Sequence, residues 1–370
     1  MNHSVDILIV GAGPGGLAAA ILAQEKGLSH CIIEKGSLPM QGILDTYPKG
    51  KTVYPTIPRS YDQTFPVPEL APPPERVSVE AYVDQIREVI QKRQLNIRYQ
   101  EQFQDIQGEF PQYRVTTDQG SYQARHVILA FGAHIPNDLG IYGEARTVAR
   151  KLENGEDYIG AHVLVIGGGN AAADVVASLS RTKREAQDTT SVYWAHVAEK
   201  FEVNTDTARD LGEEILLGGQ IKILQRAVPK IGEVDDEGID RLYIRQDPQV
   251  SESSGMQIYQ AMSFPMKHVI ACIGTHGPSA IFDGLQLQQI TCTGAICKIA
   301  KEGERLPMLT TSLETNRKGI FALGGAISPS HMEIDPSGMI QEKKHSNLIY
   351  TAILDARIII DSLDAPDPGS

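Results

Sequence analysis

Two glycine-rich stretches are the part of the sequence whose residue types and spacing could carry chemistry. ILIVGAGPGG occupies residues 7–16, and VLVIGGGNAAAD occupies residues 163–174. In both, an apolar run typical of a buried strand leads into glycines, and small residues typical of a helix start follow. The free N–H groups and the positive dipole end of such a helix attract phosphate. Each stretch therefore predicts a binding site for a phosphate-containing ligand.

The first stretch has the spacing of a dinucleotide-binding loop. Gly11 allows the tight turn, Gly13 allows close approach of a pyrophosphate, and Gly16 allows the helix to pack closely on its strand. Glu34 stands at the end of the next predicted strand, about 20 residues downstream, where a carboxylate accepts hydrogen bonds from a ribose. The pattern favours a dinucleotide site. The alternative is a glycine-rich turn that serves only packing.

The second stretch fits the same pattern less completely. Gly167, Gly169 and Ala172 take the three small positions, again between a predicted strand and a predicted helix. The next strand does not end in a carboxylate, which a site for NAD would use, and no arginine pair follows to hold the extra phosphate of NADP. His196 and Lys200 are the basic candidates there. The alternative is a domain that keeps the fold without binding a nucleotide.

A histidine near the C-terminus is the candidate for proton transfer. His331 lies in SPSHMEIDPSG, just after a strand predicted at 319–325. Ligands gather at the carboxyl ends of parallel strands, and imidazole titrates near neutral pH, so His331 could relay a proton. The alternative is a surface turn before the last helix.

Lysine and cysteine candidates have simpler alternatives. Lys51, in TYPKGKTVYP, could contact a bound cofactor or be an exposed loop lysine, and His134 could line a cleft. Cys292 and Cys297 could form a redox pair if a hairpin brings their Cα atoms within about 7 Å. The favoured interpretation is two ordinary thiols in a short β segment. The sequence contains no Cys-x-x-Cys pair and no zinc-ligand spacing, so no metal site is expected.

Composition and charge argue against several classes of function. The 370 residues carry a formal net charge of −12, and 41% of them are apolar. The acidic balance argues against nucleic acid and anionic membrane as partners. No apolar run approaches the roughly 20 residues of a membrane span. The N-terminus enters a strand without a signal-peptide pattern, so a cytoplasmic location is expected.

The elements that must position these residues follow from the periodicity of the sequence. The first glycine loop lies between strands predicted at 5–10 and 30–34, which is the start of a βαβ unit. Eight prolines within residues 48–74 predict an irregular loop. Apolar residues at helical spacing predict a helix over Ser78–Arg93, and one long helix is predicted over about Ser337–Asp361.

Together these motifs resemble the two-dinucleotide-binding-domain flavoproteins, in particular their thioredoxin-reductase-like branch, which includes bacillithiol disulfide reductases. The resemblance covers nearly the whole chain. It rests on GAGPGG with Glu34, on VILAFGA at 127–133, on LGIYGE at 139–144, on GGGNAAAD, and on GIFALGGA at 319–326.

The resemblance implies an α/β fold of two nested Rossmann-like domains with a three-layer ββα organisation. The FAD-binding domain would comprise residues 1–150 and 265–370, and the inserted NAD(P)H-binding domain would comprise residues 155–262. The chain departs from the branch at three points. It lacks the Cys-x-x-Cys of thioredoxin reductases, it has Gly15 where bacillithiol disulfide reductases have a cysteine, and it has Gly325 where many relatives have an aspartate.

The resemblance also implies site residues. FAD would be bound by Gly11, Gly13, Pro14, Gly15, Gly16, Glu34, Lys35, Lys51, Ala130, Phe131, Gly132, Gly325 and Ala326. NAD(P)H would be bound by Gly167, Gly169, Asn170, Ala171 and Ala172. His331 would be the catalytic residue.

The function implied is that of an FAD-dependent oxidoreductase, in which NADPH or NADH reduces FAD and the flavin reduces an external acceptor. The acceptor expected is a small disulfide or a protein redox partner, and a homodimer is expected. One alternative is a ferredoxin-linked flavoprotein with a silent nucleotide domain. A second is a flavin-binding redox sensor or subunit without turnover, and a third is a flavin monooxygenase.

Overall fold

The structure is a computed structural model of the 370-residue chain. It describes residues 3–47, 51–133, 135–143, 148–247, 260–293, 299–300 and 303–363. His134 and Cys297, two of the candidates above, lie outside the described residues. Among the described residues, no helix is both long enough and apolar enough to cross a membrane.

The described residues form α-helices, strands and short 3₁₀ helices. The α-helices are α1 Pro14–Glu25, α2 Gln41–Thr46, α3 Val79–Arg93, α4 Asn170–Glu185, α5 Thr205–Leu216, α6 Ser279–Gly284 and α7 Ile349–Ser362. The strands of the first half are β1 His3–Val10, β2 His30–Glu34, β3 Thr52–Val53, β4 Val77–Ser78, β5 Ile97–Tyr99, β6 Phe103–Glu109, β7 Gln112–Thr117, β8 Ser121–Leu129, β9 Ile135–Pro136, β10 Tyr142–Gly143, β11 Val163–Ile166 and β12 Val192–Ala195. Those of the second half are β13 Ile221–Leu224, β14 Ala227–Val234, β15 Asp240–Gln246, β16 Gln260–Pro265, β17 Val269–Ala271, β18 Thr275–His276, β19 Gln289–Thr291, β20 Arg305–Thr310, β21 Ile320–Ala322, β22 Ser330–Ile334 and β23 Ile340–Lys344. The 3₁₀ helices are Pro68–Leu70, Gly155–Tyr158, Met266–His268 and Gly324–Ile327.

The chain divides into two compact units. The first unit comprises Met1–Asp45, Thr52–Ile135 and Thr275–Ser370, and the second comprises Thr46–Lys51 and Pro136–Gly274. Each unit contains one of the two glycine loops, placed between a buried strand and a helix. The predicted binding of FAD by the first unit and of NAD(P)H by the second stays a prediction.

A mixed sheet forms the centre of the first unit. Its strand order is β5-β2-β1-β8-β7-β6, and β21 lies beside β8. β1 pairs in parallel with both β2 and β8, so Leu8 lies opposite Cys31 on one side and Val127 on the other. Leu8 and its neighbours Ile7 and Ile9 are fully buried, because parallel strands are covered on both faces.

Helix α1 packs against α7 in the first unit. Its buried residues include three consecutive alanines, Ala18–Ala20. Pro14 is the first residue of α1, and Gly13 is its N-cap. Proline suits this position because the N–H it lacks would have no partner within the helix.

A parallel sheet and an antiparallel-rich sheet form the second unit. The parallel sheet has the order β13-β12-β11-β17, and the other sheet has the order β10-β14-β15-β16. Side chains of α4 and α5 share a core with the parallel sheet, which includes Val165, Val176, Trp194, Leu211 and Ile270. The predicted α/β class, with a Rossmann-like arrangement of strand, glycine loop and helix in each unit, is confirmed.

The helix predicted after the proline-rich loop is confirmed as α3, but the prediction of one long C-terminal helix is wrong. β22 and β23 form an antiparallel hairpin, and α7 begins only at Ile349. The Asp335 carboxylate accepts the N–H groups of Ser337 and Met339 at 2.8 and 3.0 Å and so closes the hairpin turn. Gly338 adopts φ +83°, which a helix cannot contain.

A buried lysine fixes the far end of α4 in the second unit. Lys183 Nζ lies 2.6 and 2.7 Å from the carbonyl oxygens of Tyr158 and Ala161 and 2.8 Å from both Asp188 Oδ2 and Thr190 Oγ1. Burial alone would raise the pKa of Asp188, but hydrogen bonds from Lys183 and from Thr190 outweigh it and hold the pKa well below its usual range. The ion pair is therefore intact over the whole neutral range.

Substitution of Lys183 by methionine tests this buried ion pair. Lys183→Met leaves the Asp188 carboxylate without its cation, and we expect the free energy of unfolding at pH 7 to fall by about 3 kcal/mol. Because the pKa of Asp188 is lowered by folding, the pair stabilises the wild type above about pH 4, and the difference from the variant shrinks as pH falls below it. Urea denaturation measures both effects. Lys200→Met, at an exposed lysine, is the control, and equal losses in the two variants would contradict the prediction.

Candidate functional site

The first glycine loop is held by close backbone contacts. Gly11, just after β1, has φ +111°, and a Cβ there would lie 2.4 Å from the carbonyl oxygen of Ala130. A Cβ on Gly16 would lie 2.0 Å from the Gly11 carbonyl oxygen. Both positions therefore exclude a side chain. A Cβ on Gly13 would meet no atom within 4 Å, so this glycine leaves the mouth of the loop open.

Gly15 faces the interior of the first unit, next to the half-buried Pro14. A Cβ on Gly15 would lie 2.3 Å from Leu323 Cδ1 and 2.9 Å from the carbonyl oxygen of Ala352 on α7. A cysteine at this position would displace both neighbours. The packing around Gly15 thus leaves no space for the loop cysteine that the resemblance to bacillithiol disulfide reductases would suggest at this position.

Glu34 connects the loop to the end of β2. Its side chain is buried, with Oε2 accepting the N–H of Ala12 at 2.8 Å and Oε1 accepting the N–H of Gly36 at 2.7 Å. Each carboxylate oxygen can accept a second hydrogen bond, so ribose hydroxyls still have acceptors here. Lys35, the next residue, is exposed. The open mouth at Gly13, the start of α1 and the remaining lone pairs of Glu34 fit the FAD that the resemblance implies.

The residues predicted to line the flavin come together at the ends of two adjacent strands. These residues are Ala130, Phe131, Gly132, Gly325 and Ala326. β8 and β21 pair in parallel, and the two segments leave the same end of the sheet. A Cβ on Gly325 would lie 2.5 Å from the Ala133 nitrogen and 3.0 Å from the Gly132 carbonyl carbon. The segment after β8 therefore leaves no space for a side chain at position 325.

His331 lies in β22 and is buried, which contradicts the alternative of a surface turn. Its side chain is 5% exposed, and within the described part of the chain neither ring nitrogen has a hydrogen-bond partner. Burial lowers the pKa of His331 to about 4, so the ring is neutral at pH 7. It offers one N–H and one lone pair to a bound group. Its predicted catalytic role stays a prediction.

Sequence reasoning missed a hydrogen-bonded cluster beside this histidine. Asp355 Oδ2 lies 2.9 Å from His345 Nε2, and His345 Nδ1 lies 2.6 Å from Ser328 Oγ. All three side chains are buried. The available signal was Asp355 itself, a carboxylate within the apolar helix sequence IYTAILDARIII.

The second glycine loop repeats the close contacts of the first. Gly167 has φ +140°, and a Cβ there would lie 2.2 Å from the carbonyl oxygen of Cys272 and 3.2 Å from Ala172 Cβ. Gly169 is the N-cap of α4, and a Cβ on it would meet no atom within 4 Å. Ala171 is exposed, whereas Ala172 is buried. These features fit a nucleotide at the start of α4.

The segment that follows β12 folds onto the second loop. The N–H of Glu202 donates to the Gly168 carbonyl at 2.7 Å, and the N–H of Asn204 donates to Asn170 Oδ1 at 2.8 Å. The His196 ring packs on the loop so closely that a Cβ on Gly168 would lie 2.5 Å from it. Burial lowers the pKa of His196, and the nearby Glu202 carboxylate only partly opposes this, so the ring is neutral at pH 7.

Lys51 and Lys200 are the other two lysines predicted near cofactors. Lys51 forms an ion pair with Asp174 of α4, with 3.0 Å between Nζ and Oδ2, and its Nζ lies 4.4 Å from the centre of the Tyr47 ring. This ion pair associates Lys51 with the helix of the second loop, and its contact with FAD stays a prediction. Lys200 is exposed.

The described cysteines have the character of unreactive thiols. Burial raises the pKa of Cys31 to about 11 and that of Cys272 to about 12. Cys292 is buried, and its sulfur lies 3.5 Å from the Ala300 carbonyl oxygen. The three form no disulfide. Pairing of Cys292 with Cys297 stays a prediction, since Cys297 is outside the described residues.

Comparison with known proteins identifies the family of the chain. The sequence profile of the family described as pyridine nucleotide-disulphide oxidoreductase matches residues 8–247, more than half of the chain. Ferredoxin–NADP reductase from Thermus thermophilus is 30% identical over 188 residues, which are 48% of this chain and 51% of that protein. Thioredoxin reductase from Treponema pallidum is 31% identical over 186 residues, 49% of this chain and 54% of that protein. The alignments span about half the length of these curated relatives.

Solved structures share the fold over nearly the whole chain. Bacillithiol disulfide reductase Bdr from Staphylococcus aureus superposes with a TM-score of 0.73 at 19% identity, covering 97% of this chain and 98% of that one. Thioredoxin reductase from T. acidophilum superposes with a TM-score of 0.66 at 16% identity, covering 98% of both chains. The resemblance found in the sequence is confirmed. With its profile match and its two glycine loops, the chain belongs to the pyridine nucleotide-disulphide oxidoreductase family.

Proposed function

We propose that the protein is an FAD-dependent oxidoreductase in which NAD(P)H reduces FAD and the reduced flavin passes electrons to an external acceptor. The observation that carries the proposal is that both glycine loops have the same backbone arrangement. In each unit, a glycine with no room for a side chain is followed two residues later by a glycine whose outer side is open. Membership of the family supports redox chemistry with a pyridine nucleotide.

In the first unit, each predicted FAD contact has a defined task. Gly13 and the start of α1 would face the pyrophosphate, and Glu34 would accept hydrogen bonds from the ribose. Gly132 and Gly325 would let the backbone approach the flavin ring. FAD, when bound, supplies the two-electron redox centre. His331, neutral at pH 7, would hold a proton on one ring nitrogen and accept one on the other.

In the second unit, the residues after β12 favour NADH over NADPH. Gly169 and the start of α4 would face the pyrophosphate of either nucleotide. The additional phosphate of NADPH would lie near the segment 196–204, which carries Glu199 and Glu202 against a single lysine. His196 adds no charge at pH 7. Arg226 pairs with Glu199, with 3.6 Å between Nη2 and Oε1, so Glu202, whose N–H bonds to the Gly168 carbonyl, is the carboxylate that would oppose a further dianionic group.

The acceptor in this proposal is external. The described thiols have raised pKa values or are buried, so they are poor nucleophiles toward a disulfide. Relatives carry the names of reductases for ferredoxin–NADP, thioredoxin and bacillithiol disulfide. These names support a small disulfide or a small redox protein as the acceptor.

A second candidate function is a ferredoxin-linked flavoprotein whose nucleotide unit is silent. It is favoured by the packing of the His196 ring on Gly168 and by the acidic segment beside it. Electrons would then enter from an iron–sulfur protein instead of a pyridine nucleotide. The two candidates differ in what reduces the flavin.

Alanine at the two open glycines separates the roles of the loops. Because a Cβ fits beside the protein at Gly13 and at Gly169, each alanine variant should fold while its methyl group occupies space needed by phosphate. We expect Gly13→Ala to weaken FAD binding about tenfold or more, and Gly169→Ala to keep FAD but slow its reduction by NADH about tenfold or more.

Flavin content and stopped-flow reduction measure these effects. Gly120→Ala is the matched control, because a Cβ there also meets no atom within 4 Å and the residue lies between β7 and β8. Wild-type FAD affinity in Gly13→Ala would refute the first assignment. Wild-type reduction of Gly169→Ala would refute the second.

The preference for NADH is tested by anaerobic reduction with each nucleotide, followed by flavin absorbance. We expect NADH to reduce the wild type about tenfold faster than NADPH, and Glu202→Arg to shift the ratio toward NADPH, since a cation replaces a carboxylate. Glu213→Arg, at an exposed position on α5, is the control for the change in net charge. If neither nucleotide bleaches a flavin that dithionite bleaches, the second candidate function is favoured.

A further inference from the structure

We propose that Ser328, His345 and Asp355 form a buried positioning network, which holds the glycine turn of the predicted flavin site and adjusts the reduction potential of bound FAD. The inference deepens the proposed function and rests on it, because it requires FAD in the first unit. The network is built from three separate parts of the chain, namely the turn after β21, the loop after β23 and helix α7.

The network begins on α7 with the carboxylate of Asp355. This side chain is buried on a helix face that is mostly apolar. Its Oδ2 accepts the N–H of Gly324 at 2.8 Å and lies 2.9 Å from His345 Nε2. A carboxylate removed from water is costly unless donors surround it. The N–H of Gly324 and the ring of His345 therefore hold Asp355 in place, and Asp355 in turn fixes their positions.

His345 and Ser328 extend the network from Asp355 back toward Gly324. Ser328 Oγ lies 2.6 Å from His345 Nδ1 and 3.3 Å from the carbonyl oxygen of Gly324. With one N–H on its imidazole, His345 donates from Nε2 to Asp355 and accepts the single hydroxyl proton of Ser328 at Nδ1. Gly324 adopts φ +63°, a conformation that suits glycine. The hydrogen bonds thus form a chain from Ser328 through His345 to Asp355, which ends on the N–H of Gly324.

The turn fixed in this way is the one predicted to line the flavin. Gly325 follows directly, and a Cβ there would lie 2.5 Å from the Ala133 nitrogen and 3.1 Å from Asn347 Oδ1. Ala326 is buried beside it. With so little space around Gly325, movement of Gly324 would be transmitted to the residues that face the cofactor.

His331 provides an independent sign that a polar group binds beside the network. Its ring centre lies 6.3 Å from that of His345, it is 5% exposed, and neither of its nitrogens has a hydrogen-bond partner among the residues that the structure describes. A buried polar group without a partner is destabilising, so a bound group that hydrogen-bonds to His331 would remove this cost. His331 thus marks a position beside the network where a polar ligand is favoured.

The charge of Asp355 gives the network an effect on redox chemistry as well as on shape. Reduced flavin is richer in electrons than oxidised flavin, and a negative charge at low local dielectric opposes the addition of electrons. The carboxylate should therefore lower the midpoint potential of the bound cofactor. A role in shape alone would leave this potential unchanged.

Two substitutions in the full-length protein loaded with FAD separate the effect of the Asp355 charge from the effect of the hydrogen bonds in the network. Asp355→Asn keeps the size of the side chain and an oxygen for Gly324, but it removes the charge. We expect a more positive midpoint potential and an FAD dissociation constant about tenfold higher. Ser328→Ala removes the hydroxyl that donates to His345 Nδ1 and keeps the charge of Asp355, so we expect an FAD dissociation constant about threefold higher and a midpoint potential close to that of the wild type.

The control is Asp361→Asn, which removes a carboxylate of the same helix that is 55% exposed and pairs with Lys26. It should leave both measured quantities unchanged. If Asp355→Asn has the potential and the FAD affinity of the wild type, the inference is overturned while the proposed function stands. If the wild type takes up no FAD, both fail. Should Asp355→Asn not fold, unchanged FAD binding in both Ser328→Ala and His345→Gln would overturn the inference.

Discussion

In both units, a glycine Cα lies directly against a carbonyl oxygen at the end of the neighbouring parallel strand. A Cβ on Gly11 would lie 2.4 Å from the carbonyl oxygen of Ala130, and a Cβ on Gly167 would lie 2.2 Å from that of Cys272. This proximity brings the strand end, the loop and the start of the following helix into one small volume. The N–H groups of the helix start then face the same side as the ends of both strands. The open glycines and the predicted flavin wall all depend on this arrangement.

The loops were predictable from sequence because their cause is local. A glycine spacing of this kind has one efficient backbone solution, and the position of Glu34 at the end of β2 follows once β2 lies beside β1. The same reasoning identified β11, the second loop and α4. It also located the residues after β8 and β21, since the carboxyl ends of adjacent parallel strands meet.

The remainder was not predictable because its cause lies in contacts between distant segments. The hairpin of β22 and β23 looks like the start of a helix in sequence, and its turn is closed by the side chain of Asp335. The network of Ser328, His345 and Asp355 requires the placement of α7 against the turn after β21. Polar residues of this kind carry no spacing rule, and only the unusual carboxylate in an apolar helix gives a hint of their role.

The packing of Gly15 has a consequence for how this loop can change during evolution or engineering. A side chain at position 15 meets Leu323 and the backbone of Ala352, so its effect depends on which residue stands at 323. Substitutions at 15 and 323 should therefore be strongly non-additive, with a thiol at 15 accepted more readily after Leu323 has become smaller. The order in which the two changes occur would then decide whether the intermediate folds. In this chain, acceptance of a loop thiol would then be a property of the residue pair 15 and 323 and not of the loop alone.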